Sequence, residues 1–241
     1  DALTVGSFLG SATVVVDQSD TVVGLSVGTS STLRVMPGAV LTRALPPGGG
    51  FFGFSVGTLD LAGGALLVRD GSNGGPDFRP LLTTGHAGGT WSGTGAGGSV
   101  YSSLAANSPI SDGVGYGIGS EIAATNLGGF TINPGDTLLR YTLDGDANLD
   151  AAVNLDDFTR LAAAFGSGNR WVQGDSNYDS AVNLNDFTPL AANFGTSAGN
   201  LARAGARWPS PPSGRFGVQP IAGGRAFLDD VLDYPRLLAI V

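Results

Sequence analysis

Along residues 3–68 the apolar positions fall in short runs rich in Val, Leu and Thr and broken by Gly. Thr13-Val14-Val15-Val16 and Thr21-Val22-Val23 come first, then Leu25-Ser26-Val27-Gly28-Thr29 and Thr32-Leu33-Arg34-Val35. β-branched residues in runs this short, separated by turn residues, predict strands rather than helices. Further strands are expected around 114–118, 128–132 and 137–143. Asp77-Phe78-Arg79-Pro80-Leu81-Leu82 reads as one short helix, with Asp77 as N-cap and Pro80 in the first turn. Pro46-Pro47-Gly48-Gly49-Gly50 reads as a loop tip, and the Gly-dense stretch 85–98 as loops pinned by Trp91.

A weak repeat runs through the β region. Ser26-Val27-Gly28-Thr29 returns as Ser55-Val56-Gly57-Thr58, and Thr32-Leu33-Arg34-Val35-Met36-Pro37-Gly38-Ala39 resembles Thr58-Leu59-Asp60-Leu61-Ala62-Gly63-Gly64-Ala65. Stacked coils of a β-solenoid give this pattern. A twisted β-sandwich gives the same alternation, so residues 1–143 are expected to form a mainly β, Gly-rich domain of one kind or the other.

At residue 145 the period changes. Gly145-Asp146-Ala147-Asn148-Leu149-Asp150-Ala151-Ala152-Val153-Asn154-Leu155-Asp156-Asp157-Phe158 is followed 29 residues later by Gly174-Asp175-Ser176-Asn177-Tyr178-Asp179-Ser180-Ala181-Val182-Asn183-Leu184-Asn185-Asp186-Phe187, and 16 of 22 positions agree over 145–166 against 174–195. Each copy carries oxygen side chains at loop positions 1, 3, 5, 9 and 12, the ligand spacing of an EF-hand calcium loop. Ca²⁺ takes six to eight oxygens, and alternate residues of a tight loop point inward while position 7 offers its carbonyl. The expected ligands are Asp146, Asn148, Asp150, the Ala152 carbonyl, Asn154 and Asp157 for one ion. For a second they are Asp175, Asn177, Asp179, the Ala181 carbonyl, Asn183 and Asp186.

A short amphipathic helix follows each loop. Phe158, Leu161, Ala162 and Phe165 recur at helical spacing up to Gly166, and Phe187, Leu190, Ala191 and Phe194 up to Gly195. Neither stripe can be buried alone, so the copies are expected to pack together around the four Phe rings.

This duplicated unit resembles a type I dockerin: two calcium loops, each lacking the entering helix of a full EF-hand, with Asp at position 12. It is similar to the dockerin-like repeats near the C-terminus of large secreted bacterial surface proteins with β-strand repeats. The resemblance covers about 50 residues and implies two bound Ca²⁺ and an extracellular or cell-surface location. Gly88-Gly89-Thr90-Trp91-Ser92-Gly93-Thr94-Gly95 and Leu138-Leu139-Arg140-Tyr141 resemble the stretch that precedes the repeat in that group. Three departures stand out. Position 6, Gly in the family because the turn needs positive φ, is Ala151 and Ser180, at roughly 1 kcal/mol each. Pro189 interrupts the second helix and is tolerable only in its first turn. Where cellulosomal dockerins carry a Ser-Thr pair for cohesin recognition, this chain has Leu155-Asp156 and Leu184-Asn185.

Charge sharpens the picture. The chain has no Lys, its 12 cations are all Arg, and Glu121 is the one Glu among 20 acids. Seven acids (Asp146, Asp150, Asp156, Asp157, Asp175, Asp179, Asp186) lie in the two loop windows; removing them from the net −8 leaves −1, so the acidity is local and calls for a cation. An acidic chain without a basic patch is not expected to bind nucleic acid. Cys is absent, which excludes disulfides and thiolate chemistry. No run of 18 or more apolar residues is present to span a bilayer. The start at Asp1, without a signal-like segment, is as expected of a mature product or a trimmed fragment.

Candidate catalysis is thin. His86, the single His, has no marked nucleophile or orienting acid and reads as a turn or surface residue. Asp60, Asp70, Asp77, Asp112 and Glu121 read as turn and strand-edge acids rather than a glycosidase pair. Trp91, Tyr101 and Tyr116 read as core, with a sugar-stacking platform as the alternative.

Residues 197–241 form an extended tail: Arg203, Arg207, Arg215, Arg225 and Trp208-Pro209-Ser210-Pro211-Pro212 precede an apolar end at Leu237-Leu238-Ala239-Ile240-Val241. Such an end is expected to dock, on its own β domain or as a strand given to a neighbour, the remaining alternative being a disordered tail or one recognised by a sorting system. The chain is therefore expected to be a non-enzymatic, secreted calcium-binding structural protein of the cell surface or of an extracellular filament or matrix, associating into a homo-oligomer or polymer through the tail. The alternative is a binding module, a protein tether or a carbohydrate adhesin.

Overall fold

The computed structural model describes residues 2–5, 12–28, 30–44, 57–69, 77–93, 98–197 and 217–218. Among them the chain is mainly β, with three α-helices. The first strands are β1 (Ala2–Val5), β2 (Thr13–Val16), β3 (Asp20–Val22), β4 (Gly24–Val27), β5 (Thr32–Val35) and β6 (Val40–Ala44). Then come β7 (Thr58–Leu61), β8 (Ala65–Arg69), helix α1 (Arg79–His86), β9 (Ser99–Tyr101), β10 (Asp112–Ile118), and the pair β11 (Asn126–Leu127) and β12 (Phe130–Thr131). Strand β13 (Thr137–Leu143) leads into helices α2 (Leu155–Ala164) and α3 (Leu184–Asn193).

The early strands stack in parallel columns. One column pairs β1 with β4, a second runs β2-β5-β7-β9, and a third runs β3-β6-β8. In the second column Thr13, Thr32, Thr58 and Ser99 line up, followed by Val14, Leu33, Leu59 and Val100. The repeat seen in the sequence is thus the pairing register: Thr32-Leu33-Arg34-Val35 lies beside Thr58-Leu59-Asp60-Leu61. Leu33, Val35, Leu59, Leu61 and Val100 are fully buried, because alternate residues of each strand face the interior. On the other face Arg34 and Asp60 are register neighbours and form an ion pair at 2.6 Å. The third column ends differently: β13 joins β8, and β10 joins β13, both antiparallel.

Several details depart from the sequence reading. Phe78, not Asp77, is the N-cap of helix α1, and the helix runs on to His86, so Gly85 and His86 belong to a helix rather than a loop. His86 is buried, not superficial, with its ring edge-on to Trp91 at a centroid distance of 5.0 Å. Trp91 itself is core, and Tyr101 and Tyr116 pack against that core. The expected strand at 128–132 is the short β11–β12 pair.

The expectations for 46–50 and most of the tail lie outside the described residues. Of the tail, Gly217 and Val218 pair antiparallel with Val15 and Val14 and so cover the edge of β2.

Candidate metal centre: the duplicated loops

Strand β13 delivers the chain into the first loop without a break. Thr142 lies on it, and its hydroxyl donates to Asp146 Oδ2. Within the loop, Asp146 Oδ2 also accepts the Ala151 amide (3.0 Å) and Oδ1 the Asp150 amide (3.1 Å). Asp157, at the start of α2, reaches back: Oδ1 accepts the Asn148 amide (3.0 Å) and Oδ2 the Asn154 amide (2.9 Å). Asn148 Oδ1 accepts the Asp150 amide, Asp150 Oδ1 the Ala152 amide, both at 2.9 Å, and Asn154 Oδ1 caps the helix at Asp156 (2.8 Å).

The second loop repeats this nearly bond for bond. Asp175 Oδ2 accepts the Ser180 amide (3.2 Å), and Asp186 accepts the Ser176 (3.0 Å) and Asn183 (2.9 Å) amides. Asn177 and Asp179 accept the Asp179 and Ala181 amides at 2.9 Å. Asn183 Oδ1 caps α3 at Asn185 (2.8 Å), and its Nδ2 donates to the Ala181 carbonyl (3.2 Å). In each loop the expected side-chain ligands are thus tied to backbone amides of the same loop. Positions 1 and 12 are buried in both, whereas Asp150 and Asp179 at position 5 are exposed. Three or more His, Cys, Asp or Glu side chains do not form a metal-holding group among the described residues. The three expected acids of each loop (Asp146, Asp150 and Asp157; Asp175, Asp179 and Asp186) are therefore not drawn together as a three-acid metal group, and Asn side chains and a carbonyl make up the rest of the expected donor set.

Backbone shape explains the closeness. Ala151 (φ 73°) and Ser180 (φ 77°) hold the left-handed conformation at position 6, as do Leu149 (57°) and Tyr178 (59°) at position 4. Two left-handed residues in five fold the loop on itself and turn its amides inward, at a steric cost that Gly would avoid.

The electrostatics are those of buried like charges. Burial, with Asp157 and Asp150 nearby, pushes the Asp146 carboxyl up to about 7, opposed by Thr142 and Arg140. Burial and then Asp186 push Asp175 up to about 6. Asp157 and Asp186 are raised as well, chiefly by burial. One expected ligand atom is left over: Asp175 Oδ1 is buried and has no hydrogen-bond partner, a condition shared by the neighbouring Ser176 Oγ and by Asp144 Oδ1. Asp175 also meets a cation from outside the unit, Arg79 of α1, whose Nη2 lies 3.5 Å from Asp175 Oδ2.

The two copies embrace through backbone. Val153 exchanges bonds with Gly195 and Thr196, and Val182 does the same with Gly166 and Gly168. Gly145 packs against Leu190 and Gly174 against Leu161 so closely that an added Cβ would stand 2.6 and 2.9 Å from the nearest atom. The small core between the copies is Leu143, Val153, Leu161, Ala164, Val182 and Leu190.

It is not the expected Phe cluster: Phe158, Phe165, Phe187 and Phe194 are 38–52% exposed. Helix rotation is the reason. Asp157 and Asp186 must face their loops, so Leu161 and Ala164, or Leu190 and Asn193, follow inward one and two turns later. Phe158 and Phe187 are turned about 100° away and meet each other at 6.2 Å on the outside. Pro189 is the sixth residue of α3, beyond the first turn; the residue whose carbonyl loses a donor, Asn185, is exposed to water.

Residues that the ligand pattern does not reveal fix the loops to the β domain. Leu149, Trp171 and Tyr178 belong to the same core as the parallel strands. Trp171 Nε1 donates to the Asp146 carbonyl (2.8 Å), and the Tyr178 hydroxyl donates to the Val114 carbonyl on β10. No family model matches this chain, and no curated protein or solved structure is similar enough to count as a match.

Proposed function

We propose that this chain is a secreted, non-enzymatic calcium-binding structural protein, in which a short β-solenoid is joined rigidly to a dockerin-like pair of calcium loops. The parallel columns and their shared register support the solenoid reading. The buried, partnerless Asp175 Oδ1 carries the calcium reading because, unlike the Oδ1 atoms of Asp17, Asp112 and Asp144 that share its condition, it belongs to a duplicated set of oxygen side chains at calcium-loop spacing. The donor set fits a hard cation: carboxylates, amide oxygens and a carbonyl, with no sulfur or imidazole. Asp146, Asn148, Asp150, the Ala152 carbonyl, Asn154 and Asp157 would hold one ion. Asp175, Asn177, Asp179, the Ala181 carbonyl, Asn183 and Asp186 would hold the other.

Each ion would offset the repulsion that raises the buried carboxylates. The strained position 6 lowers affinity, which suits the 10⁻⁴–10⁻³ M range in which extracellular calcium modules work. Association of copies into a homo-oligomer or polymer, through the tail, is part of this reading. Calorimetry of the chelator-treated protein should register two ions per chain, with a gain in near-ultraviolet circular dichroism. Absence of uptake refutes the reading. Light scattering and electron microscopy with and without chelator then decide whether copies associate into ordered polymers.

A second reading, a tether to a different protein, is favoured by one observation. Leu155 (64%), Leu184 (68%) and the four Phe leave a largely apolar outer face on α2 and α3. Persistence of a calcium-loaded monomer at high concentration would favour the tether over self-assembly.

A further inference from the structure

The two loops share their ligand pattern but not their surroundings. In the first, the position-1 carboxylate of Asp146 is fully engaged by the Thr142 hydroxyl and by two loop amides. Arg140, which runs beside it, donates to the Leu149 carbonyl (3.2 Å). In the second, the equivalent carboxylate, Asp175, is 1% exposed and accepts the Ser180 amide on Oδ2, while its Oδ1 has no partner. Its remaining neighbour is the guanidinium of Arg79, 3.5 Å from Oδ2. That nitrogen is itself buried and without a hydrogen bond, so the contact is an ion pair rather than a shaped bidentate bond.

We propose that Arg79 is a built-in competitor for the cation of the second loop, so that the first loop fills at lower calcium and the second only as Arg79 gives way. The inference rests on the calcium reading given above. An ion bound at Asp175 would stand about 2.3–2.6 Å from its oxygen. It would then lie within a few ångströms of a fixed positive charge, in surroundings that screen poorly. Loop charge acts in the same direction: the first window holds Asp146, Asp150, Asp156 and Asp157, the second only Asp175, Asp179 and Asp186, because Asn185 replaces the fourth acid. Arg79 also has somewhere to go. Asp77, whose Oδ1 accepts the Arg79 amide (3.0 Å), is an exposed carboxylate two residues away. Filling the second loop therefore frees the first residue of α1 from the calcium unit, and the β domain senses occupancy there.

The test is calcium titration of the chelator-treated full chain by calorimetry, for wild type, Arg79→Gln, Arg79→Met and Asp150→Asn. Wild type should take up two ions in two resolved steps. Arg79→Gln and Arg79→Met should tighten the weaker step by tenfold or more and leave the stronger one unchanged; Met keeps the aliphatic stem if Gln impairs folding. Asp150→Asn, at an exposed position, should weaken the stronger step. Unchanged or weakened binding in both Arg79 variants, or loss of the weaker step in Asp150→Asn, overturns the proposal while leaving two-ion uptake intact. Absence of uptake by wild type overturns the calcium reading itself.

Discussion

Replacing Ser180 with Gly isolates the backbone term at loop position 6. Ser180 is exposed, sits at φ 77°, and uses only its amide, which donates to Asp175 Oδ2 and would be kept by Gly. A left-handed L-residue costs about 1–2 kcal/mol. The extra freedom of Gly in the unfolded chain removes about 0.4–1 kcal/mol of that gain. The net expectation is a stabilisation of about 0.5–1 kcal/mol, or a rise of about 1–4 °C in Tm for a domain of this size. Leu149 provides the contrast. It has the same handedness (φ 57°) but is fully buried, so Leu149→Gly should destabilise by about 2–5 kcal/mol despite relief of the same strain. Thermal unfolding followed by far-ultraviolet circular dichroism, in chelator and in excess calcium, reads both variants. A Tm for Ser180→Gly that is unchanged or lower in both conditions would show that the loop does not hold its left-handed turn in solution.

Three further outcomes follow from the geometry. Tyr178→Phe removes a buried donor from the Val114 carbonyl and should cost about 1–3 kcal/mol in denaturant unfolding, with the circular dichroism of the folded state little changed. Gly145→Ala must hold φ 95° with its Cβ 2.6 Å from Leu190 Cα, a backbone atom that cannot swing aside, so it should cost more than about 2 kcal/mol in the same assay. In chelator, stability should fall as pH rises from about 4 to about 7. Asp146 and Asp144 are both raised to about 7 chiefly by burial, so in that window the folded state binds more protons than the unfolded one, and the slope of stability with pH is negative. A metal-free Tm that is higher at pH 8 than at pH 5 would contradict this.

What could be read from the sequence follows from where information is repeated. The matching hydrogen-bonded form of the two loops was legible because both copies carry the same oxygen side chains at the same offsets, and because their bonding is local: each of these bonds spans ten residues or fewer. The register of β5 on β7 was legible for the same reason. Position 4 was not. Leu149 and Tyr178 differ between the copies and look like spacers, yet both are core, and the Tyr178 hydroxyl finds its acceptor 64 residues away. Arg79 was equally silent, as nothing near Asp77 points to a partner at Asp175. The four Phe misled because apolar periodicity gives the largest side chains the most weight, while the rotation of α2 and α3 is set by the buried carboxylates of Asp157 and Asp186.

Those two carboxylates and the residues at position 4 together explain why the unit does not behave as a bead on a string. Between themselves the copies are related almost symmetrically: Gly145 meets Leu190 as Gly174 meets Leu161, and Val153 and Val182 pair with the chain beyond the opposite helix. Toward the β domain the symmetry is lost. The first loop grows out of β13 and is fastened by Trp171 at the Asp146 carbonyl. The second inserts Tyr178 among His86, Trp91, Tyr116 and Trp171. A ring held on several sides by other rings cannot be withdrawn without opening the core it sits in. Both loops therefore reach β10, the first through Leu149 against Gly115 and Gly117 and the second through Tyr178 at the Val114 carbonyl, while the second also meets α1 at Arg79 and His86. A duplicated unit joined in this way is two similar loops held in two different surroundings.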